Sequence, residues 1–341
     1  MSFLFKPSPQ SKPGPAELAG AIKESFLSLD TTTFAKALEE VKKNVLSMRQ
    51  MLSGDAETEP NQDHISQFVV EICKGDVLAL FIHKLPTLSW EARKDLMHCW
   101  SILLRHNVDS RYFCVEYIEN HLELLDFLII CYNNKEIALS CGNMLRECIK
   151  YPTLAKCILE SRSFELFFKY VELPTFDIAS DALATFKDLL TKHEMIVSQF
   201  LSSHYVQFFE LYEKLLTSPN YVTRRQSLKI LSDFLLEPQN LQIMKRYILE
   251  VRFLHIMMAL LKDTSKNIQI SAFHIFKVVF VANPNKPREI IEVLIDNHEE
   301  LLMSLQNLPM SKGEDDQFEE EKDLIIKEIE ELCNLSKATT A

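Results

Sequence analysis

The chain has 341 residues, of which 47% are hydrophobic and 25% are charged, and this composition excludes a disordered or fibrous protein. The formal net charge is −11, but the segment 313–332 holds ten acidic residues and two lysines, so the rest of the chain is nearly neutral. Because binding to DNA or RNA needs an extended basic surface, we expect no nucleic-acid partner.

Neither a secretory signal nor a membrane span is predicted. The N-terminal sequence MSFLFKPSPQSKPGPAEL has no long apolar segment followed by a cleavage site. No apolar run approaches the roughly 18 residues that a bilayer span needs. The eight cysteines include no C-x-x-C pair, and most lie in apolar helical stretches, which is typical of buried, reduced thiols. We therefore predict a cytoplasmic protein without membrane insertion.

Helices are predicted along almost the whole chain, because glycine occurs only six times and amphipathic patterns follow one another. Residues 1–15 are rich in Pro and Ser, which predicts a flexible N-terminus. Residues 16–308 are predicted to form consecutive helices separated by short polar breaks, often with proline. The pattern then stops, and we predict an acidic linker over 309–316, a C-terminal capping helix over 317–335 and a disordered tail over 336–341.

The helical stretches recur with a regular period. Five similar amphipathic helices follow the polar breaks and align on Ala92, Ile137, Ile178, Val222 and Ile268. The intervals of 45, 41, 44 and 46 residues are typical of armadillo or HEAT-type repeats, each of two or three helices. One such repeat cannot bury its own apolar face, so neighbouring repeats stack. We predict an all-α, armadillo/HEAT-like helical-repeat solenoid, a single curved rod with a right-handed superhelix and a concave binding face.

The sequence contains no motif that indicates catalysis. It has no G-x-x-x-x-G-K, no G-x-G-x-x-G, no H-E-x-x-H and no G-x-S-x-G. No stretch places acidic residues at alternate positions before a glycine, as a calcium-binding EF-hand loop requires. The ten histidines are scattered, which is typical of capping or surface positions. We therefore predict a protein that is not an enzyme and that has no cofactor and no metal site.

The stretch YVTRRQSLKI, residues 221–230, carries three cations and no acid. On a helix, Leu228 falls in an apolar arc, whereas Arg225 and Lys229 lie one turn apart on the opposite, exposed face. Two like charges at this spacing disfavour a helix slightly unless an anion binds them. The pair is therefore either an ordinary solvated face or a clamp for a carboxylate on a partner. Arg224 lies at the edge of the apolar arc.

A second stretch, FLHIMMALL at 253–261, is apolar on almost every side. Such a helix is either wholly buried or presents an apolar groove. Met257 and Met258 are adjacent, and methionine is an adaptable side chain that is common at binding surfaces. Core packing and a slot lined by Met257, Met258 and Leu261 both remain open from the pattern. A slot beside two cations would suit a short peptide that bears aromatic residues and an acid.

Long stretches of the chain closely resemble the calcium-binding protein 39 family, also called mouse protein twenty-five. The stretches that carry the resemblance are FDIASDALATFKDLLTKH, NKEIALSCGNMLRECIK, NYVTRRQSLK, NIQISAFHIFK, FVANPNK and DDQFEEEK. The likeness extends from about residue 16 to about residue 335. It implies a helical-repeat scaffold that activates kinases allosterically, by binding the active conformation better than the inactive one. Despite the family's name, the resemblance does not imply a calcium site.

The resemblance also implies particular partners and residues. Family members hold the pseudokinase STRAD and its tumour-suppressor kinase partner in an active complex, and they stimulate sterile-twenty-type (germinal-centre) kinases. A Trp-Glu-Phe motif at the C-terminus of a partner enters an apolar pocket, while the kinase-like domain rests on the concave face. By position, Arg225, Lys229 and Met258 match the tail pocket. The two cations would meet the glutamate and the terminal carboxylate, and Met258 would line the aromatic slot.

Some positions depart from the family pattern. Pro238 and Leu241 stand where many relatives have a basic residue and an aromatic residue on the concave face. Asp296 and Glu300 stand where relatives have lysines. The stretch FKVVFVANP carries one extra residue within a helix. These departures leave the predicted tail pocket intact and bear on the second contact, with the kinase-like domain.

We therefore predict a non-catalytic scaffold, monomeric by itself, that binds a protein kinase or pseudokinase with a Trp-Glu-Phe-like tail. The predicted contacts of the concave face are Arg224, Leu241 and Lys187. The alternative is an armadillo-type adaptor that binds another extended peptide, in transport or in a different signalling complex. Import receptors of that class use a ladder of Trp and Asn on successive inner helices, whereas Trp90 and Trp100 are the only tryptophans here.

Overall fold

α-Helices make up nearly all the regular structure of the chain. The computed structural model describes residues 13–31, 34–54, 59–309 and 315–340. Most of the predicted flexible N-terminus and the centre of the predicted acidic linker lie outside the described residues. The described part of the chain contains twenty α-helices and no β-strand.

The first ten helices are α1 (Pro15–Ser28), α2 (Phe34–Ser53), α3 (Gln62–Lys74), α4 (Val77–His83), α5 (Trp90–Arg105), α6 (Phe113–Glu119), α7 (Glu123–Ile130), α8 (Ala138–Ile149), α9 (Pro152–Glu160) and α10 (Leu166–Tyr170). The other ten are α11 (Phe176–Thr191), α12 (Glu194–Ser203), α13 (Tyr205–Leu216), α14 (Tyr221–Leu235), α15 (Leu241–Tyr247), α16 (Val251–Leu261), α17 (Lys266–Ile275), α18 (Arg288–Asp296), α19 (His298–Gln306) and α20 (Asp315–Thr340). No helix among the described residues is both long enough and apolar enough to cross a bilayer.

The chain divides into two compact units. Unit 1 comprises the residues up to Leu166 together with Thr175–Thr185, and unit 2 comprises Phe167–Pro174 together with the residues from Phe186 onward. Within unit 1, helices three apart in the chain pack together: α2 on α5, α5 on α8, α3 on α6, α6 on α9 and α4 on α7. Unit 2 shows the same rule in α14 on α17 and α16 on α19. This spacing defines a three-helix repeat, so the predicted all-α, armadillo-type repeat class is confirmed.

The helices predicted to be equivalent are every third helix: α5, α8, α11, α14 and α17. One position of the alignment is corrected by the structure. Ala92 and Ile268 are buried three residues after the N-caps Ser89 and Ser265, but Val222 is 37% exposed. Thr223, three residues after the cap Asn220, is the buried equivalent, because a one-residue shift on a helix moves a side chain by about 100°. The interval from Ile178 to Thr223 and the interval from Thr223 to Ile268 are then both 45 residues.

A partly buried polar cluster in unit 1 depends on the absence of a side chain at Gly142 in α8. Tyr132 donates a hydrogen bond to Asp181 (2.8 Å), and Arg146 donates to Asp181 (2.7 Å) and to Thr185 (2.9 Å). A Cβ atom built at Gly142 falls far inside van der Waals contact with the Asp181 carboxylate and the Tyr132 hydroxyl. The glycine thus leaves space between the helices for the Asp181 carboxylate, which is hydrogen-bonded by Tyr132 and Arg146.

The helix after Lys266 contains a π-helical segment. After α17, the chain continues from Phe276 to Val281 as a π-helix, in which each amide bonds the carbonyl five residues earlier. The Ala282 amide, for example, donates to the Lys277 carbonyl at 2.7 Å. A π-helical turn holds one more residue than the α-helix it interrupts. The extra residue noted in FKVVFVANP therefore has a structural place. Phe276, Val279, Phe280 and Val281 are buried, whereas Val278 is 37% exposed.

The C-terminal helix is longer than predicted. α20 begins at Asp315 and continues to Thr340, whereas the sequence pattern predicted 317–335. No glycine or proline interrupts the residues after 335, so the helix has no stop signal there. Phe318 packs on Phe273 (ring centroids 5.1 Å apart), and Lys277 pairs with Glu321, which fixes α20 against α17 and its π-helical segment. The predicted capping role and the domain limits stay predictions.

Replacing Gly142 with alanine is expected to lower the free energy of unfolding by about 1–3 kcal/mol, because the new methyl group overpacks the Tyr132–Asp181 contact. Gly20→Ala is the matched control: Gly20 lies in α1 with open space around it, so alanine should stabilise the helix by up to about 1 kcal/mol. Urea unfolding followed by circular dichroism measures both changes. Equal stability of the two variants would contradict the assigned role of Gly142.

Candidate functional site

The candidate site is a surface cleft between α14 and α17 in unit 2, with a volume of about 380 Å³. The side chains that line it are Arg225, Gln226, Lys229, Ser232 and Asp233 from α14 and Asn267, Ile270, Ser271 and His274 from α17. Eight of these nine are polar or charged, and Ile270 is the single aliphatic one. The cleft is therefore a polar furrow with two cations on one wall. We call it the α14–α17 cleft.

The two faces of α14 are as the sequence predicted. Leu228, Leu231 and Phe234 are completely buried, whereas Arg225 and Lys229 are exposed on the opposite side. The buried face is held by Tyr212 on α13, whose hydroxyl donates a hydrogen bond to the Ser227 carbonyl at 2.7 Å. The Asn220 side chain caps the helix by accepting a hydrogen bond from the amide of the second helical residue. These contacts fix the direction in which the cations project.

The charges of the cleft are unevenly partnered. Asp233 pairs with Lys187 of α11, with 3.0 Å between Nζ and Oδ2. Neither Arg225 nor Lys229 forms a salt bridge with any described residue. Two cations one helical turn apart, at a cleft wall where one carboxylate is already neutralised, favour an anionic ligand.

Tyr221, the first residue of α14, lies beside the cleft. Hydrogen bonds with Ser265 and Asn267 lower the pKa of Tyr221, and the nearby charge of Arg225 acts in the same direction. The phenol thus links the N-terminal ends of α14 and α17. Arg225, which lines the cleft, therefore lies next to an aromatic ring.

Arg224, which precedes Arg225, has a different environment. Its guanidinium donates hydrogen bonds to the carbonyls of Ser218 (2.7 Å) and Pro219 (3.1 Å) and pairs with Asp263 at 3.2 Å. The Arg224 and Asp263 side chains are only 20% and 11% exposed. Arg224 therefore fastens α14 to the turn between α16 and α17. Its predicted part in a partner contact stays a prediction.

The structure places the apolar stretch at 253–261 in the core. Met257 and Leu261 are at most 1% exposed and Met258 is 5% exposed, so all three are buried in α16. None belongs to the described lining of the α14–α17 cleft. Of the two interpretations left open by the pattern, core packing describes this conformation. A ligand-binding role for these three residues stays a prediction.

The remaining predicted or divergent positions lie on other elements. Leu241 begins α15 and is 45% exposed, after a short 3₁₀ turn that starts at Pro238. Asp296 ends α18 and is exposed. Glu300 in α19 pairs with Lys262. Each of these positions lies on the surface.

The structure brings residues to the site that the sequence pattern did not predict. The wall from α17 comprises Asn267, Ile270, Ser271 and His274. The repeat period is the sequence feature that could have indicated this wall. α14 and α17 are equivalent helices of consecutive repeats, and such helices pack side by side. Their exposed residues therefore face a common furrow. No cluster of three metal-ligating His, Cys, Asp or Glu side chains occurs within the part of the chain that the structure describes.

The three-helix repeat with a cleft between successive third helices defines the molecule as a helical-repeat scaffold. A family model described as Mo25-like matches residues 3–333, which is nearly the whole chain. The chain belongs to the Mo25-like family.

Individual relatives agree with this assignment. The proteins named calcium-binding protein 39-like from Mus musculus and Homo sapiens are each 44% identical over 325 residues, which is 95% of this chain and 96% of the relative. The Mo25-like protein of Schizosaccharomyces pombe is 40% identical over 333 residues, covering 97% of this chain and 100% of the relative. An engineered protein of known structure is similar in fold alone, with a TM-score of 0.51 and 14% identity over 93% of this chain and 73% of its own.

The two neighbouring arginines give a stability prediction. Arg224→Ala should lower the free energy of unfolding by about 2 kcal/mol, because it leaves the largely buried Asp263 carboxylate without its cationic partner. Arg225→Ala should change it by less than about 0.5 kcal/mol, because the Arg225 side chain is exposed and forms no salt bridge with a described residue. Urea unfolding of the full-length protein, followed by far-ultraviolet circular dichroism, compares the two variants. A larger loss in Arg225→Ala than in Arg224→Ala would contradict the structural assignment.

Proposed function

We propose that the chain is a non-catalytic scaffold that binds a protein kinase or pseudokinase and favours its active conformation. The proposed anchor is the C-terminal tail of the partner, which ends in an acidic and aromatic sequence such as Trp-Glu-Phe. The tail enters the α14–α17 cleft, and a separate surface contacts the kinase-like domain. The protein acts as a monomer in a hetero-complex in the cytoplasm. No cofactor takes part.

One observation carries the proposal: Arg225 and Lys229 are exposed, lack salt-bridge partners among the described residues and share one wall of a cleft. Arginine presents a planar fork of donors that fits a carboxylate, and lysine adds a second positive charge one turn away. A tail that ends in Glu-Phe carries two carboxylates, one on the glutamate and one at the terminus. The charge pattern of the cleft thus matches the charge pattern of the tail.

Membership in the Mo25-like family supports the kinase-binding part of the proposal, through the resemblance on which the partner class rests. The volume of the cleft is also suitable. About 380 Å³ is near the lower end of the range for ligand pockets, which is enough for two or three side chains of a peptide. A scaffold that binds the active kinase conformation more tightly than the inactive one shifts the equilibrium by that difference in affinity.

The proposal is tested by fluorescence polarisation with a labelled peptide ending in Trp-Glu-Phe. Arg225→Ala and Lys229→Ala should each weaken binding by about 1 kcal/mol, because each removes one exposed ion pair with the tail. Arg288→Ala is the matched control, because Arg288 is an 88% exposed cation of unit 2 outside the cleft lining. If Arg225 meets the terminal carboxylate, amidation of the peptide C-terminus should weaken binding to the wild type. The Arg225→Ala variant should bind the amidated and the free-acid peptide with equal affinity.

Failure of the folded wild-type protein to bind the free-acid peptide would contradict the tail part of the proposal. Equal weakening by Arg288→Ala and Arg225→Ala would show only a general charge effect. Binding of diverse basic or neutral peptides at this cleft, with no preference for the acidic tail, would instead favour the adaptor alternative.

The same cleft predicts a substitution that strengthens binding. Asp233→Asn removes the carboxylate from the cleft wall and releases Lys187 from its salt bridge, so an acidic tail should bind about 0.5–1 kcal/mol more tightly. Asp188→Asn is the control, because Asp188 is a similarly exposed acid of α11 that pairs with Lys192 and does not line the cleft. Polarisation titrations at low salt give the comparison. An unchanged or weaker affinity in Asp233→Asn would place the tail elsewhere.

A further inference from the structure

Two thiols from neighbouring repeats are in contact in unit 1. Cys73 is the penultimate residue of α3, and Cys114 is the second residue of α6. Their Sγ atoms are 3.8 Å apart, although 41 residues separate them in the sequence. α3 and α6 pack directly, as do α2 and α5 in the same unit. Because a disulfide has an S–S distance of about 2.05 Å, the sulfurs need to approach by about 2 Å, which side-chain rotation can supply.

The two thiols differ in access. Cys73 is half-buried, whereas Cys114 has no exposed surface. The hydrogen bond with Cys73, followed by burial, raises the pKa of the Cys114 thiol. An oxidant in solution can therefore reach Cys73 and not Cys114. Cys114 lies where a second thiol has to be in order to attack a modified Cys73 sulfur.

We propose that Cys73 and Cys114 form a reversible disulfide modification site whose oxidant is a low-molecular-weight disulfide. The Cys73 thiolate attacks one sulfur of the small disulfide, which forms a mixed disulfide and releases one thiolate. The Cys114 sulfur then attacks the Cys73 sulfur and gives its proton to the departing small thiolate, so the second small thiol is released. Both cysteines are oxidised and the small disulfide is reduced to two thiols, so two electrons and two protons balance.

The other cysteines that we compare lack either solvent access or contact with a second thiol. Cys99 and Cys148 are completely buried, and burial raises the pKa of each thiol. Cys131 and Cys141 also share a hydrogen bond, which lowers the pKa of Cys131, but Cys131 is buried and Cys141 is inaccessible. The other half-buried cysteine, Cys157, therefore serves as the control for access alone. Contact with a second thiol and access to solvent occur together at Cys73.

The disulfide would join two consecutive repeats. It closes a loop that contains α4 and α5, so it restricts the unfolded chain and stabilises unit 1. The site belongs to unit 1, whereas the α14–α17 cleft belongs to unit 2. The proposal is independent of the proposed tail binding and can fail or succeed without it.

The test uses the full-length protein with oxidised glutathione. After incubation, free thiols are alkylated in denaturant, and the protein is digested without reduction for mass spectrometry. The wild type and Cys157→Ser should both yield a linked peptide pair that contains Cys73 and Cys114, two hydrogens lighter than the separate reduced peptides and absent after dithiothreitol. Cys114→Ser should instead accumulate glutathione on Cys73, because the second attack cannot occur. Oxidised wild type should unfold at a higher temperature, and dithiothreitol should reverse this shift.

Recovery of Cys73 and Cys114 as alkylated thiols from the oxidised wild type would overturn the proposal. A linked pair of Cys131 and Cys141 in its place would overturn it as well. Equal glutathione content on Cys73 in the wild type and in Cys114→Ser would show that Cys114 does not act on the mixed disulfide. Circular dichroism confirms that each variant is folded, and Cys114→Ala replaces Cys114→Ser if the buried hydroxyl destabilises α6.

Discussion

The packing of helices that are three positions apart in the chain is the constraint on which the other features of this chain depend. A single three-helix repeat leaves an apolar face open, and only the next repeat can cover it. This requirement sets the distance between equivalent helices and places α14 beside α17 in unit 2 and α3 beside α6 in unit 1. The cleft and the thiol pair are both consequences of stacking, because each joins residues of successive repeats.

The same stacking explains how much could be predicted from sequence. The helices, their period and the two faces of α14 follow from local spacing, since apolar and charged residues alternate at helical intervals. The choice of Thr223 over Val222 as the equivalent buried position did not follow from the sequence. Both residues allow a continuous apolar arc, and only the Asn220 cap fixes where the helix begins. His274 and Ser271 could not be assigned to the cleft from their own stretch, since their neighbours come from a helix about 45 residues earlier. The burial of α16 was likewise undecided by a pattern that is apolar on nearly every side.

Adjacent arginines show why charge counting along the sequence has limited value. Arg224 and Arg225 differ by about 100° around the axis of α14. Because of this difference, Arg224 points to two backbone carbonyls and to Asp263, and its ion pair with Asp263 connects α14 to the α16–α17 turn. Arg225 is turned toward solvent beside Lys229. A cluster of three cations in the sequence therefore becomes one structural cation and two that are available to a ligand, and only the second group bears on the proposed function.

The energetics of the cleft limit how a tail could bind there. Exposed ion pairs contribute at most about 1 kcal/mol each, whereas a dissociation constant of 1 μM corresponds to about 8 kcal/mol. Most of the affinity in the proposed complex has to come from the burial of aromatic surface, at about 25 cal/mol per Å². Ile270 is the single aliphatic residue in the cleft lining, and Met258 is only 5% exposed. An aromatic tail must therefore either cover Ile270 and the aliphatic stems of Arg225 and Lys229, or displace side chains of α16 to reach Met258. In either case the cations set the orientation of the tail, and apolar contacts made on binding supply the greater part of the free energy.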